Sequence, residues 1–145
     1  MSKRAVELFV FDIFIAIIKI EKTVSRFSDA QSLLHSYTEW DSVIREFEII
    51  GEASRHLLGE EILASEYRPV VDFRNVIIHE YFGIDPDEVW GVIEQSIPPF
   101  RKVIEDIITE IPFELKSELV HAYIEDNRYL DFVVKALEDI EKQCN

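Results

Sequence analysis

The residues that allow a chain to turn are scarce in this sequence. Its 145 residues include four glycines and five prolines, which is few for a β-rich protein, whose short strands require frequent turns. The most apolar segment, LFVFDIFIAII at 8–18, is long for a strand but too short to span a bilayer, and it contains Asp12. These features predict an all-α protein without a membrane-spanning segment, in which residues 8–18 form a buried helix.

Apolar periodicity and capping residues place the helices. Helices are predicted over about 3–27, 37–58, 69–82, 85–96, 99–110, 113–125 and 129–143. Ser2 is expected to cap the first helix, and Pro98-Pro99 is expected to separate the fourth helix from the fifth. The polar segment SDAQSLLHS at 28–36 is interpreted as a connection. This pattern is typical of a helical bundle.

Charge and cysteine content limit the partners and the compartment. The net charge is −14, and most of the excess acid lies beyond residue 56. A uniformly acidic surface repels nucleic acid, so a nucleic-acid site must be small and local, or else the partner is a basic protein. The lone Cys144 cannot form an internal disulfide, and no signal peptide is recognised, so a cytoplasmic protein is predicted.

The segment RNVIIHEYF at 74–82 combines an apolar run with four polar side chains. On a helix, Asn75 and His79 lie about 40° apart and Arg74 and Tyr81 about 20° apart, whereas Arg74 and His79 are separated by about 140°. The four polar residues therefore share one broad face. They could simply form ion pairs and hydrogen bonds at the edge of a core, and this structural interpretation stays open beside a functional one.

The same side chains could cleave RNA without a metal ion. Such cleavage requires removal of the ribose 2′-OH proton, stabilisation of charge at phosphorus and protonation of the leaving 5′ oxygen. An imidazole such as that of His79 takes or gives a proton near neutral pH, and the permanent charge of Arg74 matches phosphate oxygens. Asn75 could orient His79 or donate to the phosphate. Because one motif offers one imidazole for two proton transfers, a cleft shared by two chains makes chemical sense.

Glu52 is the most informative polar residue outside this segment. The Gly51-Glu52 pair lies inside a predicted helix, where glycine costs about 1 kcal/mol relative to alanine. Glu52 could pair with Arg74, or Gly51 could permit close packing of two helices, and the sequence favours neither alternative. His79-Glu80 begins like a zinc-protease HExxH motif, but position 83 is Gly, so that motif is excluded and no metal site is predicted.

Three stretches of the sequence resemble one known family. The R-x4-H-x-Y pattern of Arg74, His79 and Tyr81, the surrounding block RNVIIHEYFGIDPDEVW at 74–90, and IIGEAS at 49–54 resemble HepT-like toxins of the HEPN superfamily. Asp12 also fits. The resemblance covers about residues 5–110 and implies a HEPN-type helical bundle that forms a homodimer, with two motifs facing a shared cleft.

The resemblance also implies an activity, a partner and a modification site. Members are metal-independent ribonucleases that need no cofactor, and each is paired with a minimal nucleotidyltransferase antitoxin of the MntA type. The antitoxin adenylylates the tyrosine of the motif, which corresponds to Tyr81. By this resemblance, Arg74, His79 and Asn75 are expected to be catalytic, Glu52 is expected to support them, and RNA such as tRNA or mRNA is the expected substrate.

The sequence beyond residue 110 is longer than the family's usual ending. Residues 1–110 are expected to form the HepT-like bundle, and residues 111–145 a C-terminal extension of two amphipathic helices packed on the same domain. The extension could brace the bundle, bind the partner or cover the cleft. The leading hypothesis is a cytoplasmic ribonuclease toxin component. The alternative is a non-catalytic helical adaptor or nucleotide-binding partner of a minimal nucleotidyltransferase.

Overall fold

The computed structural model describes residues 5–80 and 83–143, and every regular element within these ranges is helical. The α-helices are α1 (Val6–Val24), α2 (Ala30–Leu34), α3 (Tyr37–Gly59), α4 (Arg68–His79), α5 (Pro86–Gly91), α6 (Ile97–Glu110), α7 (Phe113–Asp126) and α8 (Asp131–Lys142). A short 3-10 turn at Ser65–Tyr67 precedes α4, and a π-helical turn at Val92–Ser96 joins α5 to α6. The prediction of an all-α bundle is confirmed.

Helix α1 forms the centre of the bundle. It packs against α3 and α6, and also against α8. Because α1 has neighbours on several sides, it is apolar around most of its circumference, and Phe11, Ile13 and Ile17 are fully buried. Burying each such side chain contributes about 1.5–3 kcal/mol. In the described ranges, no helix has both the length and the apolar character needed to cross a membrane.

Two predicted helix boundaries and one predicted connection differ from the structure. Helix α1 begins after Ala5 and ends at Val24, and its predicted cap, Ser2, lies outside the described residues. The segment interpreted as a connection contains α2, where the Asp29 carboxylate accepts a hydrogen bond from the Ser32 backbone N–H at 2.8 Å. Apolar periodicity did not reveal α2 because this short helix depends on a local capping box.

The prediction that Pro98-Pro99 separates two helices is wrong. The chain stays helical from α5 through the π-turn into α6, and both prolines lie in the first turn of α6. In the π-turn the Ile97 N–H donates to the Val92 carbonyl, five residues earlier. This shift of hydrogen-bond partners places Pro98 and Pro99 in the first turn of α6. Prolines have no N–H to donate, and the first turn of a helix does not need those donors. The α5–α6 segment, residues 86–110, is therefore continuously helical.

The C-terminal helices share the core of the bundle. Val120 of α7 and Leu137 of α8 are fully buried in the same apolar cluster as α1. The Tyr123 ring stacks on Phe11 with centroids 5.2 Å apart, and its hydroxyl bonds to the Asp12 carboxylate at 3.0 Å. Of the three roles considered for the extension, these contacts favour a brace. The division into residues 1–110 and 111–145 stays a prediction.

Candidate functional site

Helix α4 carries the polar motif, and the residues of the motif differ in their exposure to solvent. Arg74 is half-buried against α3, whereas Asn75 and His79 are exposed. The Arg74 Nη1 donates to the Asn75 Oδ1 at 3.4 Å, so guanidinium and amide are adjacent. His79 is the last residue of α4. Tyr81 lies outside the described residues.

The seam between α3 and α4 depends on Gly51. A Cβ atom at position 51 would lie 2.1 Å from the Cβ of Arg74 and 2.6 Å from its Cγ. No real side chains approach so closely, so only glycine allows this contact without a shift of the helices. The close-packing alternative for Gly51 is thus correct.

Glu52 also pairs with Arg74, so both alternatives for the Gly51-Glu52 pair hold. Its Oε2 lies 3.4 Å from the Arg74 Nη2. Its Oε1 accepts a hydrogen bond from the Arg55 Nη2 at 2.6 Å and lies 3.4 Å from the His56 Nε2. The hydrogen bond from Arg55, together with the positive charges of Arg55 and Arg74, holds the pKa of Glu52 below its ordinary value. Glu52 is therefore an anion at neutral pH that orients the Arg74 guanidinium.

A cleft of about 330 Å³ opens where α1, α3 and α4 meet. Its charged lining consists of two guanidinium groups and three carboxylates, from Asp12, Arg45, Glu48, Glu52 and Arg74. The Arg74 Nε is buried and has no hydrogen-bond acceptor among the described residues. A buried unpaired donor costs about 1–3 kcal/mol. The Arg74 side chain as a whole is 28% exposed, so a phosphate oxygen could reach this guanidinium only at atoms other than the buried Nε.

One chain does not bring all the motif residues into this cleft. Arg74 and Glu52 line it, and Asn75 touches Arg74 from outside. His79 is not part of the lining that the structure describes, as expected from its separation of about 140° from Arg74 around the helix.

Sequence reasoning did not single out Glu48, a charged residue of the cleft. Glu48 lies three residues after Arg45 and four before Glu52, and this spacing places all three on one face of α3. That spacing could have identified Glu48 from the sequence. In residues 5–80 and 83–143, no group of three or more His, Cys, Asp or Glu side chains is arranged to hold a metal ion.

Comparison with known proteins identifies a family model and several relatives of this chain. The family model described as ribonuclease HepT-like matches residues 13–107, which include α4 and end before α7. A protein of Methanocaldococcus jannaschii is 33% identical over 111 residues, covering 72% of this chain and 98% of that protein. A second protein of that organism is 31% identical over 122 residues, covering 82% of this chain and all of that protein.

A third relative comes from Thermococcus cleftensis. It is 32% identical over 108 residues, covering 72% of this chain and 97% of that protein. All three relatives carry provisional names as ribonucleases, and the third is provisionally named ribonuclease HepT. No solved structure matches the chain significantly.

Proposed function

The chain belongs to the HepT-like family of the HEPN superfamily, and from this premise we propose that it is a ribonuclease that cleaves RNA without a metal ion. The observation that carries the proposal is the geometry of α4. Arg74 is held at the α3 seam with 28% of its side chain exposed, while His79 is exposed at the helix end. A fixed cation and an accessible imidazole are the two groups that such a reaction needs.

The proposed reaction is an internal transfer within RNA. His79 accepts the proton of a ribose 2′-OH, and the 2′ oxygen attacks the adjacent phosphorus. The bond from phosphorus to the 5′ oxygen breaks, and that oxygen takes a proton from a second imidazole. Arg74 binds the phosphate oxygens and stabilises the charge that develops on them. Asn75 fixes the position of the Arg74 guanidinium through its side-chain oxygen.

The second imidazole is proposed to come from a second copy of the chain. From the sequence, the first and third predicted helices are expected to contribute to the dimer interface. Along α1, however, residues from Val10 to Ile20 are almost all buried within their own chain, so this helix has little surface left for a partner. Ile78, next to His79, is 42% exposed. An exposed apolar residue next to His79 in the sequence supports a homodimer that joins the two motifs through the C-terminal end of α4, rather than through α1.

The biological setting proposed here is a toxin–antitoxin pair in the cytoplasm. The partner is a minimal nucleotidyltransferase, and Tyr81, two residues after His79, is the proposed acceptor of AMP. The added phosphate would bring negative charge and bulk to the motif that must bind an RNA phosphate. Family membership and the position of Tyr81 in the motif support this setting.

The acidity of the cleft favours a second candidate function. The lining holds three carboxylates against two guanidinium groups, in a chain of net charge −14. A non-catalytic adaptor that binds a nucleotidyltransferase would tolerate this acidity more easily than an enzyme that must attract RNA.

One experiment distinguishes the two functions. The purified chain is incubated with total tRNA and with mRNA in EDTA, next to His79→Ala and the control His121→Ala. His121 is 68% exposed on α7, far from the motif in sequence. Cleavage by the wild type and the control, but not by His79→Ala, is the expected result. Cleavage that survives in His79→Ala or requires added Mg²⁺ would contradict the proposed mechanism, and no cleavage by any protein would favour the adaptor.

A further inference from the structure

A larger groove runs along another face of α4. It has a volume of about 560 Å³, and its walls are α4 and the α5–α6 segment. Phe47 and Ile50 of α3, both buried, form its floor. Most of the remaining lining is apolar, and part of it, including Val70 and Val76 of α4 and Val92 of the π-turn, is only half-buried.

The charged residues that line this groove are all acidic. Glu66 precedes α4, Asp72 lies on α4 and Glu88 lies on α5, and all three are exposed. In the part of the chain that the structure describes, no Lys, Arg or His lines the groove. Acidic residues thus flank an apolar floor from both walls.

We propose that this groove binds an amphipathic helix of a partner protein. Its apolar face would lie on the groove floor, and lysines or arginines along its edges would face Glu66, Asp72 and Glu88. A groove between two helical walls is the usual receptor for such a helix, and opposite charge at the rim promotes association and selects the partner. The proposal does not depend on ribonuclease activity.

The charge of the groove argues against two other occupants. RNA binding is driven mainly by cations that neutralise phosphates, and the groove offers acids instead. A second copy of this chain would form a two-fold interface that places the same patch against itself. That arrangement would bring Glu66, Asp72 and Glu88 close to their own copies, in a chain that already carries a net charge of −14.

The groove and the Arg74 cleft share α4 but not their lining. Phe73 and Val76 line the groove, whereas Arg74 lines the cleft. The Phe73 ring contacts Phe47 edge-on, with centroids 5.1 Å apart. A partner in the groove would therefore rest on the helix that carries the motif while leaving the cleft open, so Arg74→Ala should not weaken its binding.

The test uses two synthetic helical peptides of about 16 residues, a length near the minimum for a helix that is stable in water. Both carry Leu and Phe on one face, one has Lys along the edges and the other has Glu at the same positions. Isothermal titration calorimetry with the full chain should show binding of the Lys peptide only. The affinity should fall as salt is raised, because the rim charges are exposed and screened.

Matched variants locate the binding site. The double variant Asp72→Lys with Glu88→Lys should weaken binding of the Lys peptide by about tenfold or more, which is about 1.4 kcal/mol. The control double variant, Glu94→Lys with Glu118→Lys, makes the same charge change at exposed positions that do not line the groove. It should bind as the wild type does. Circular dichroism confirms that each variant is folded.

Several outcomes would overturn the proposal. The first is that the Lys peptide does not bind. The second is that the two double variants weaken binding of the Lys peptide equally, which would mean that only the overall charge of the chain matters. Direct binding of a single-stranded RNA to the chain, measured without the peptide and lost in Val70→Glu, would identify RNA as the occupant instead. If Val70→Glu converts a dimer to a monomer in sedimentation velocity while the control double variant does not, the groove is a self-association surface.

Discussion

Gly51 of α3 and Arg74 of α4 meet at a helix seam that admits no additional atom. A Cβ at position 51 would lie 2.1 Å from the Cβ of Arg74. The next residue, Glu52, then reaches the Arg74 guanidinium at 3.4 Å. A glycine and the acid that follows it thus set the position and the orientation of the cation in the cleft.

Gly51→Ala should therefore move α4 and destabilise the bundle. Alanine gains up to about 1 kcal/mol of helix propensity, but overpacking of a close contact costs about 1–3 kcal/mol. Movement of the flexible end of Arg74 cannot relieve the clash, because the new Cβ at position 51 meets the Cβ of Arg74. We expect a net loss in the free energy of unfolding by urea. The control is Gly59→Ala, because a Cβ at position 59 meets nothing within 4 Å. Equal effects of the two changes would contradict the close-packing argument.

Glu52→Gln should improve the binding of RNA but slow its cleavage. Glu52 competes with phosphate for the Arg74 guanidinium, and it also orients that group. Loss of the carboxylate charge should lower KM for RNA while lowering kcat by about tenfold, because the cation is freer but less well positioned. The same substitution at the exposed Glu118 serves as the control. A higher KM with unchanged kcat would mean that Glu52 does not act through Arg74.

Mixing chains tests the shared cleft. If one reaction uses His79 from both copies, a hybrid of wild type and His79→Ala is inactive. Adding an excess of the variant to a fixed amount of wild type should then reduce cleavage well below that of wild type alone. The control is an equal excess of His121→Ala, which should not reduce cleavage. Activity that stays constant with added His79→Ala would show that each chain works by itself.

Tyr81→Phe tests the regulatory proposal. The variant should keep its ribonuclease activity, since a phenol hydroxyl takes no part in the proposed proton transfers. It should not gain AMP when incubated with a cognate minimal nucleotidyltransferase and ATP, as measured by intact mass. Tyr129→Phe is a suitable control because Tyr129 is 76% exposed and therefore accessible to a modifying enzyme. Equal modification of wild type and Tyr81→Phe would rule out Tyr81 as the acceptor.

The sequence predicted the helices whose evidence is repeated along the chain. Helix α3 presents apolar residues at regular intervals over 23 residues, and its signal is therefore strong. The π-turn before Pro98 was missed because a proline normally indicates the end of a helix. A π-helical hydrogen bond is rare, and tertiary packing rather than the local sequence stabilises it.

The sequence could place the residues of the motif on one helix, but it could not give the distances between their side chains. The motif spacing put Arg74 and His79 on α4, and helix geometry alone separated them by about 140°. The choice between an ion pair at Glu52 and close packing at Gly51 needed the relative position of two helices, and the structure supports both. The contact of Tyr123 with Asp12 joins residues that lie 111 positions apart, which no local pattern could indicate.

Glu46 provides a last prediction, about stability and pH. This carboxyl is 8% exposed, and burial raises its pKa above the ordinary value of 4.5, although the positive charges of Lys19 and Arg45 act in the opposite direction. An acid whose pKa is higher in the folded state contributes stability below the pKa of the unfolded state, and this contribution is lost as pH rises through the folded-state pKa. Ionised Glu46 therefore costs stability at neutral pH.

Glu46→Gln should remove this cost. We expect the variant to have a larger free energy of unfolding than wild type near pH 7.5. The gain should shrink as the pH falls through the folded-state pKa of Glu46, and it should be absent below about 4, where the carboxyl is protonated in both states. Urea unfolding at both pH values measures the difference, with Glu118→Gln as a control at an exposed carboxylate. A variant that is less stable than wild type near pH 7.5 would show that attraction to Lys19 and Arg45 outweighs burial, which would make Glu46 a stabilising ion-pair partner between α1 and α3.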